Sequence, residues 1–308
     1  MTITTPEESS YVVNPSLQVI RSSDDEIVIK FGSRSKTSRR LKDDARRAIL
    51  GDLVQAFTLP STIAEAHGSM AADPEALQEM TRSLIEQKVV VSEQDAVYSF
   101  LTVGMNVENV GDLLTKSINL VGKGKIASRL RDQLADIGLT AAVTADVSAE
   151  AFEDADLTIV ASDTPNMSLF FDANEAALVT DRPWHAVYAD GAEIIVGPLF
   201  RPGYTGCFHD YDTMDESARS LRLDYLYYKS GLQGAPMLTA LPVFAADLAA
   251  SYATASIVQH ASGRGSFLEG SFLRIDLERL EIIREQLLQM PRCPACIQNK
   301  PHLRHPFI

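Results

Sequence analysis

The hydrophobic positions of the first 95 residues change from short apolar runs to a helical period near residue 45. Two apolar runs flank a Ser-Ser-Asp-Asp-Glu turn and predict two β-strands. Further on, apolar residues recur every three or four positions, as they do on the buried face of a helix. The pattern predicts three strands, three helices and a closing strand, over residues 17–20, 27–31, 36–41, 45–57, 62–67, 74–88 and 89–91. This order is typical of a winged helix-turn-helix domain.

Residues 118–202 alternate between apolar strand runs and helical stretches, which predicts a parallel sheet with right-handed crossovers. Strands are expected over residues 118–121, 140–143, 157–161, 184–188 and 193–196, and helices over residues 126–137, 149–152 and 167–178. The second part of the chain is therefore expected to be a doubly wound α/β domain.

The last third of the chain carries two further patterns. Residues 239–259 are rich in alanine, have large apolar residues at helical spacing, and predict a nearly buried helix. Residues 273–277 alternate between apolar and charged positions, and with residues 281–288 they predict a β-hairpin. The same run also satisfies helical spacing, so a single helix over residues 274–289 stays an alternative.

Length and composition indicate two globular domains. The 308 residues divide into a predicted winged-helix domain over residues 1–95, a connector over 96–117 and an α/β domain over 118–308. The net charge of −13 argues against a whole-protein affinity for nucleic acid or anionic lipid. No apolar run approaches the ~18 residues of a membrane span, and the first residues lack signal-peptide features. With three cysteines in the chain, these observations predict a cytoplasmic protein.

The charge is distributed unevenly along the chain. Eight basic residues lie between Lys30 and Arg47, where only Asp43 and Asp44 oppose them. A basic segment on an acidic protein indicates an acidic partner for the first domain, and a solvated loop is the alternative.

The three cysteines follow a pattern typical of a metal site. Cys293 and Cys296 form a Cys-x-x-Cys pair, and Cys207 lies far upstream with His209 and Asp210 beside it. These ligand types predict a structural zinc site in which Asp210 or His209 completes the three thiolates. Idle buried thiols are the alternative. A redox pair is disfavoured because no predicted helix follows the Cys-Pro-Ala-Cys segment.

A glycine-rich loop joins the strand over residues 118–121 to the next helix. Gly122 and Gly124 begin a G-x-G-x-x-A run, and Asp146 follows the next strand, as in dinucleotide-binding folds. Such a loop lets backbone N–H groups approach a phosphate at a helix N-terminus. The proton relay that a hydride-transfer enzyme also needs is absent from the pattern, so we expect the loop to pack helix against strand.

Together these features resemble a known protein family. The winged-helix part, the ThiF/MoeB-like part and two strings, VGPLFRPGYTGCF and RCPAC, are similar to the ThiF-like (cyclodehydratase C or ocin-ThiF) proteins. Those proteins bind the leader segment of a ribosomal precursor peptide and work beside a YcaO-family cyclodehydratase that forms azol(in)e rings. The resemblance covers essentially the whole chain. It implies a PqqD-like peptide recognition element at one end and a zinc-knuckle-like segment at the other.

Departures from the adenylating relatives imply that this chain is not itself an adenylating enzyme. Asp163, Asn166 and Asn174 have counterparts in active members, but residues 169–171 are Leu-Phe-Phe where those members have an arginine. Without that arginine, nothing neutralises the developing phosphate charge. All three thiols belong to the zinc-like strings, so no acceptor cysteine remains. The resemblance therefore implies a vestigial nucleotide site and places ATP on the partner enzyme.

The resemblance further implies that the winged-helix domain binds a leader peptide by strand addition. The strand over residues 36–41 would offer main-chain hydrogen bonds, and the third helix would line a groove for apolar side chains. The implied peptide-binding residues are Lys36, Thr37, Arg39, Arg40, Leu41, Leu77, Met80, Thr81 and Leu84. The ThiF-like domain would form a homodimer or dock on the YcaO enzyme and hold the peptide near its active site.

Two other functions stay open at this point. An ATP-dependent adenylyltransferase would bind nucleotide at residues 122–125, with Asp163 holding magnesium, and would activate a peptide C-terminus. A winged-helix DNA regulator is suggested by the basic segment. Against it, Glu75, Glu79 and Glu86 make the third helix acidic, and such a helix would repel phosphates.

Overall fold

The computed structural model describes residues 9–231 and 240–299. The chain divides into two compact units, Met1–Val110 and Gly111–Ile308, which are described separately below. The boundary between them falls inside the segment 96–117, where the sequence predicts a connector.

The first unit contains two small antiparallel sheets and three principal helices. One sheet has the order β2-β3-β4, and the other has the order β5-β1-β6. The elements in chain order are β1 (Ser10–Val13), β2 (Gln18–Ser23), β3 (Glu26–Lys30), β4 (Ser38–Lys42), α1 (Leu50–Ala56), β5 (Ser61–Thr62), α2 (Ile63–Gly68), α3 (Pro74–Glu86), β6 (Val90–Ser92) and α4 (Glu93–Ala96), followed by a π-helical turn at Phe100–Gly104.

The start of α1 differs from the prediction, which placed it at residue 45. Arg46 and Ala48 have φ angles of +53° and +57°, and an α-helix does not continue through such residues. The Asp43 carboxylate accepts hydrogen bonds from the backbone N–H of Ala45 (3.3 Å) and of Arg47 (3.0 Å). This local turn competes with the helix, which begins only at Leu50.

Helix α3 is amphipathic and places its apolar face in the core of the first unit. The Asp73 carboxylate accepts from the Ala76 N–H (3.2 Å), and Pro74 follows as the first helical residue, so the helix starts where the sequence predicts. The predicted groove residues of this helix are all buried: Leu77, Met80, Thr81 and Leu84. Packing against α1 and β3 covers this face, so Leu77, Met80 and Leu84 belong to the core rather than to a surface groove.

Strand β6 does not join the sheet of β2, β3 and β4. β6 pairs antiparallel with β1, with Tyr11 opposite Ser92 and Val13 opposite Val90. Strand β1 was not predicted, because its partners β5 and β6 lie about fifty and eighty residues away and a local pattern carries no such information.

The second unit is a mixed α/β fold around a seven-stranded sheet of order β13-β12-β11-β10-β9-β7-β8. Strands β8, β7, β9 and β10 are parallel, and β11, β12 and β13 continue the sheet in antiparallel fashion. The elements are α5 (Val110–Leu114), β7 (Ile118–Val121), α6 (Lys125–Asp136), β8 (Ala141–Thr144), α7 (Ala149–Glu153), β9 (Leu157–Ser162), α8 (Met167–Thr180), β10 (Trp184–Asp190), β11 (Glu193–Phe200), α9 (Phe208–Ala218), α10 (Arg222–Gly231), α11 (Val243–Ala261), β12 (Ser271–Asp276), β13 (Glu281–Gln286) and a 3₁₀ turn (Ile297–Asn299).

Helices cover both faces of this sheet, as β10 illustrates. Successive side chains of a strand point to opposite faces. Trp184 packs in the cluster that holds Phe170 of α8 and Phe208 of α9, whereas His185 is hydrogen bonded to Ser256 of α11 (3.0 Å). Both layers bury their strands almost completely, so the core strands read as continuous apolar runs.

The structure tests both predictions made for the last third of the chain. The hairpin is confirmed, because β12 pairs antiparallel with β13, and the alternative single helix over residues 274–289 is wrong. The alanine-rich helix is observed as α11, and Thr239, where the prediction began, lies outside the described residues. Helices α9 and α10 were not predicted. Within the described ranges, no helix is long and apolar enough to cross a bilayer.

Burial of the α3 face predicts the stability of two variants. Leu84→Ala should lower the free energy of unfolding by about 2–5 kcal/mol, because Leu84 is fully buried and truncation leaves a cavity. Leu59→Ala, at a position that is 76% exposed, should change it by less than about 0.5 kcal/mol. Urea unfolding of both variants measures the difference. A Leu84→Ala effect as small as that of the control would mean that this face is accessible, as the sequence suggested.

Candidate functional site

Strand β4 lies at the edge of its sheet and carries the basic segment. It pairs only with β3 in the sheet order, so its other backbone side is free of strand partners among the described residues. Arg39, Arg40 and Lys42 are exposed, and Leu41 is half-buried. Lys36 and Thr37 lie just before the strand and are also exposed. The structure thus gathers all five predicted edge residues along one accessible border.

The pairing register assigns the β4 side chains to two faces. Leu41 and Arg39 lie opposite the buried Ile27 and Ile29, so they share the core-facing side. Arg39 reaches across to α3, where it donates to the Gln87 carbonyl (2.9 Å). Arg40 and Lys42 lie on the outer face, and both contact the Glu26 carboxylate, at 3.0 and 3.2 Å. Two cations share one carboxylate there, so the edge keeps a positive excess.

The predicted nucleotide loop packs tightly between β7, α6 and β9. Gly122 has a φ of +137°, and a Cβ atom there would lie 2.0 Å from the Ala161 carbonyl oxygen. Gly124 has a φ of +122°, and a Cβ atom there would touch the Asp163 carboxylate at 2.6 Å. Both glycines are therefore required by the approach of β9 to the loop, independently of any ligand.

The Asp163 carboxylate occupies the N-terminus of α6. Its two oxygens accept from the backbone N–H groups of Lys125 (2.8 Å) and Ile126 (2.9 Å). In phosphate-binding loops these first N–H groups face the ligand instead. The Lys125 ammonium is also engaged, because it donates to the Leu241 carbonyl (2.7 Å). The donors that would bind a phosphate are thus satisfied within the chain.

Residues 169–171, where the resemblance to adenylating proteins leads one to expect an arginine, contribute no cation. Phe170 is fully buried, and Leu169 and Phe171 pack against the same cluster. Asn166 caps α8 by accepting from the Leu169 N–H (3.3 Å). Asn174 is buried and accepts from the Phe208 N–H (2.8 Å) at the start of α9. The side-chain amides of Asn166 and Asn174 therefore bind backbone N–H groups at the starts of α8 and α9.

The four predicted metal ligands come together in the second unit. The ligand atoms of Cys207, Asp210, Cys293 and Cys296 all lie within 4.8 Å of one another, and all four residues are buried. In a tetrahedral zinc site with 2.3 Å Zn–S bonds, neighbouring sulfurs lie about 3.8 Å apart. The Cys207 and Cys293 sulfurs are 3.5 Å apart, close to that value. His209 lies outside the cluster and stacks with Phe171, so Asp210 is the fourth member.

Two turns position this cluster. Cys207 ends the loop after β11 and precedes α9, and its backbone N–H donates to the Asp210 carboxylate (2.9 Å) one turn into the helix. Cys293 and Cys296 follow β13, and the turn between them is closed by the Ile297 N–H donating to the Cys293 carbonyl (3.1 Å). A hydrogen bond from the Leu287 N–H to the Gly270 carbonyl (2.9 Å) holds the chain directly after β13 against the sheet.

The chemistry of the cluster fits a bound cation. Burial raises the pKa of the Cys207 thiol well above its usual range and that of Cys296 to about 11, so both thiols are protonated at neutral pH without a metal. Asp210 Oδ1 is buried and has no hydrogen-bond partner among the described residues. A buried carboxylate oxygen without a partner is costly, and a cation such as zinc bound by this carboxylate and the three thiolates would offset that cost.

No family model and no curated protein matches this sequence. Solved structures match at low identity. The heterocyclase TruD shares 19% identity over 94% of this chain and 43% of its own, with a TM-score of 0.65. A heterocyclase in complex with substrate and cofactor shares 18% over 94% of this chain and 39% of its own, with a TM-score of 0.68. This chain thus spans about two-fifths of the length of these heterocyclases.

A second structural neighbour matches over its whole length. E. coli MccB, solved with the peptide MccA, shares 13% identity over 93% of this chain and 99% of its own, with a TM-score of 0.55. Another MccB structure, with ATP, has a TM-score of 0.54. At these identities the similarity shows a shared fold. That fold is a mixed α/β architecture with a large mixed sheet. The sequence predicts the α/β class, but it predicts a parallel sheet, whereas β11 to β13 are antiparallel.

The cysteine cluster predicts a coupled loss of metal and stability. Cys293→Ala should reduce zinc affinity at least about tenfold, since even the loss of a residue that only supports a ligand typically costs about 10–100-fold, and should lower the melting temperature of the zinc-loaded protein. Elemental analysis and thermal unfolding with and without chelator measure both effects. His209→Ala is the matched control and should retain the metal. Wild-type protein that binds no zinc, and melts identically with and without chelator, would contradict the prediction.

The cap on α6 predicts a second pair of variants. Asp163→Ala should lower the free energy of unfolding by about 1–2 kcal/mol, because two backbone N–H groups lose their acceptor. Asp146→Ala, which removes the exposed acidic residue after the next strand, should stay within about 0.5 kcal/mol of wild type. Denaturant unfolding distinguishes them. Equal effects would mean that Asp163 does not hold the helix in solution.

Proposed function

We propose that this chain binds the leader segment of a ribosomal precursor peptide and presents the rest of that peptide to a separate YcaO-family cyclodehydratase. The observation that carries the proposal is the free edge of β4 in the first unit. An extended peptide would add a fourth strand there, with main-chain hydrogen bonds giving affinity and side chains giving specificity. The first unit is accordingly the winged-helix recognition element that the sequence suggests.

Charge supports an acidic peptide as the added strand. The exposed cations at and before β4 belong to a chain with a net charge of −13, so this border is a local exception. Acidic side chains on the peptide would meet Arg40 and Lys42, whose shared partner Glu26 compensates only one of the two charges. Such rim charges act mainly on association rate and orientation.

The structural neighbours support a role in peptide modification. One is a heterocyclase with bound substrate, and MccB was solved with the peptide MccA. The heterocyclase chains are more than twice as long as this sequence, which therefore corresponds to only part of each of them. In this proposal a separate YcaO-family enzyme, with its own ATP, makes the new bond.

The second unit would serve as a scaffold. Its glycine loop is closed by Asp163, and its Cys/Asp cluster would hold a structural zinc ion that ties the segment after β13 to the start of α9. This unit would dock on the cyclodehydratase, or pair with a second copy, and keep the tethered peptide at high effective concentration. The chain would then contribute binding and orientation rather than reacting groups.

A second candidate function is an ATP-dependent adenylyltransferase that acts on a peptide terminus. The observation favouring it is the glycine loop itself, which retains its place between a buried parallel strand and a helix. It would require Asp163 to leave the α6 N-terminus and hold magnesium, and a cation would have to replace the apolar residues of the segment 169–171. The DNA-regulator alternative has no comparable support, because Glu75, Glu79 and Glu86 of α3 are exposed.

Strand addition predicts which backbone amides a bound peptide protects. Adding the leader of the precursor peptide encoded beside this chain's gene should slow hydrogen exchange in residues 36–42 of the full-length protein, because the added strand accepts their free N–H groups. Strand β2, at the opposite edge of the same sheet, is the internal control and should be unaffected. Protection of β2 alone, or no protection in the first unit at saturating peptide, would contradict strand addition to β4.

A further inference from the structure

A surface groove of about 390 Å³ lies in the first unit beside the start of β4. It runs between Thr37–Arg39 on one side, the end of α3 at Gln87 and Lys88, and the segment that follows α4. The sequence prediction placed the peptide groove on Leu77, Met80, Thr81 and Leu84 of α3, all of which are buried. The groove described here is a different surface, and it adjoins the free edge of β4.

Two phenylalanines stand exposed at this groove. Phe31, which lines it, is 42% exposed, and Phe100 is 58% exposed, with their ring centroids 6.1 Å apart. Phe100 begins the π-helical turn, which is closed by the Met105 N–H donating to the Phe100 carbonyl (3.1 Å). Gly104 in this turn allows Phe31 to approach, because a Cβ atom there would lie 2.9 Å from the Phe31 ring. The turn therefore holds an aromatic pair open to solvent rather than burying it.

The backbone beside the groove is left-handed at two positions. Lys88 and Asn106, which both line the groove, have φ angles of +56°. Both angles belong to helix ends, because Lys88 follows α3 and Asn106 follows the π-helical turn, and left-handed residues are common at such ends.

The charges of the groove are of one sign. Lys30, Arg39 and Lys88 line it, and no carboxylate does. The ion pairs of the first unit use other cations, so these three have no carboxylate partner among the described residues. On a chain with a net charge of −13, a groove that combines apolar residues with cations lacking a carboxylate partner is complementary to an apolar group flanked by acids.

Resting on the proposed function, we infer that this groove is the specificity pocket for the bound peptide. It would take one large apolar side chain, packed against the exposed faces of Phe31 and Phe100, from a peptide strand on β4. Acidic residues on either side of that side chain would meet Lys30, Arg39 and Lys88. A buried aromatic or aliphatic anchor in a pocket, surrounded by charged contacts, is the arrangement that usually carries most of the affinity of an interface.

The inference is tested by peptide display on the full-length chain. A random library of twelve-residue peptides, selected against the immobilised protein, should enrich sequences with one Leu, Ile, Phe or Met flanked by Asp or Glu. Fluorescein-labelled copies of the enriched peptides then serve as probes in anisotropy titrations. Replacing the apolar residue of the peptide by Ala should weaken binding at least about tenfold. This measurement uses the wild-type protein, so it does not depend on the folding of any variant.

Two variants and two matched controls locate the contact. Phe100→Ala and Lys88→Glu should each weaken the probe about tenfold, whereas Leu59→Ala and Arg82→Glu, at exposed positions away from the groove, should stay within twofold. The Phe100→Ala variant should no longer discriminate between the apolar peptide and its Ala version, because the two changes remove the same contact. Thermal unfolding checks that the variants remain folded.

The outcomes separate this inference from the proposed function. Enriched peptides that bind all four variants like wild type, and that keep their discrimination against Ala on Phe100→Ala, would overturn the pocket and leave peptide binding intact. A library that yields no binding peptide would overturn the proposed function and the pocket with it.

Discussion

The Asp163 carboxylate at the N-terminus of α6 is the interaction on which the character of the second unit depends. A helix N-terminus leaves several N–H groups without partners and carries a partial positive charge, so an anion there is strongly favoured. In this chain the anion is internal, since Asp163 at the end of β9 accepts from Lys125 and Ile126. One contact therefore joins β9 to α6 and fills the place that a phosphate would take.

The two units consequently offer different possibilities to a ligand. In the second unit, the groups that could take part in a reaction contact other parts of the chain: the loop glycines accommodate β9, Lys125 binds a backbone carbonyl, and the buried thiols face one another. In the first unit, the unsatisfied groups lie outside, on the free border of β4 and in the adjoining cationic groove. This contrast is the physical basis for proposing that the chain binds a peptide and leaves bond formation to another enzyme.

Much of the second unit was predictable because its signals are local. Each buried parallel strand is a continuous apolar run, and each crossover helix has a cap or a periodic face, so β7 to β10 appear near their predicted positions. Ligand type alone singled out Cys207, Asp210, Cys293 and Cys296, although spacing could not decide between Asp210 and His209. That choice depends on α9, whose first turn points Asp210 inward and His209 toward Phe171. Helix α9 itself was missed; the signal that could have found it is Asp210 three residues after Cys207.

The first unit shows where sequence reasoning fails. The apolar stripe of α3 was correctly recognised, but its role was not, because whether such a stripe is core or groove depends on what packs against it. Here α1 and β3 cover it. The exposed Phe31–Phe100 pair was also missed, since the two residues are far apart in sequence and come together only through the π-helical turn. The available sequence signal for the pair was the segment Phe100–Gly104, which begins with an aromatic residue and ends with a glycine.

The most direct measurement of the central claim is isotope exchange between pyrophosphate and ATP, catalysed by the purified full-length chain with magnesium and a bound leader peptide. The account predicts no exchange above that of a protein-free blank, because Asp163 occupies the phosphate position and no cation lies at residues 169–171. Exchange that rises in proportion to the concentration of the added chain would show that the chain activates its own substrate, and would contradict the account.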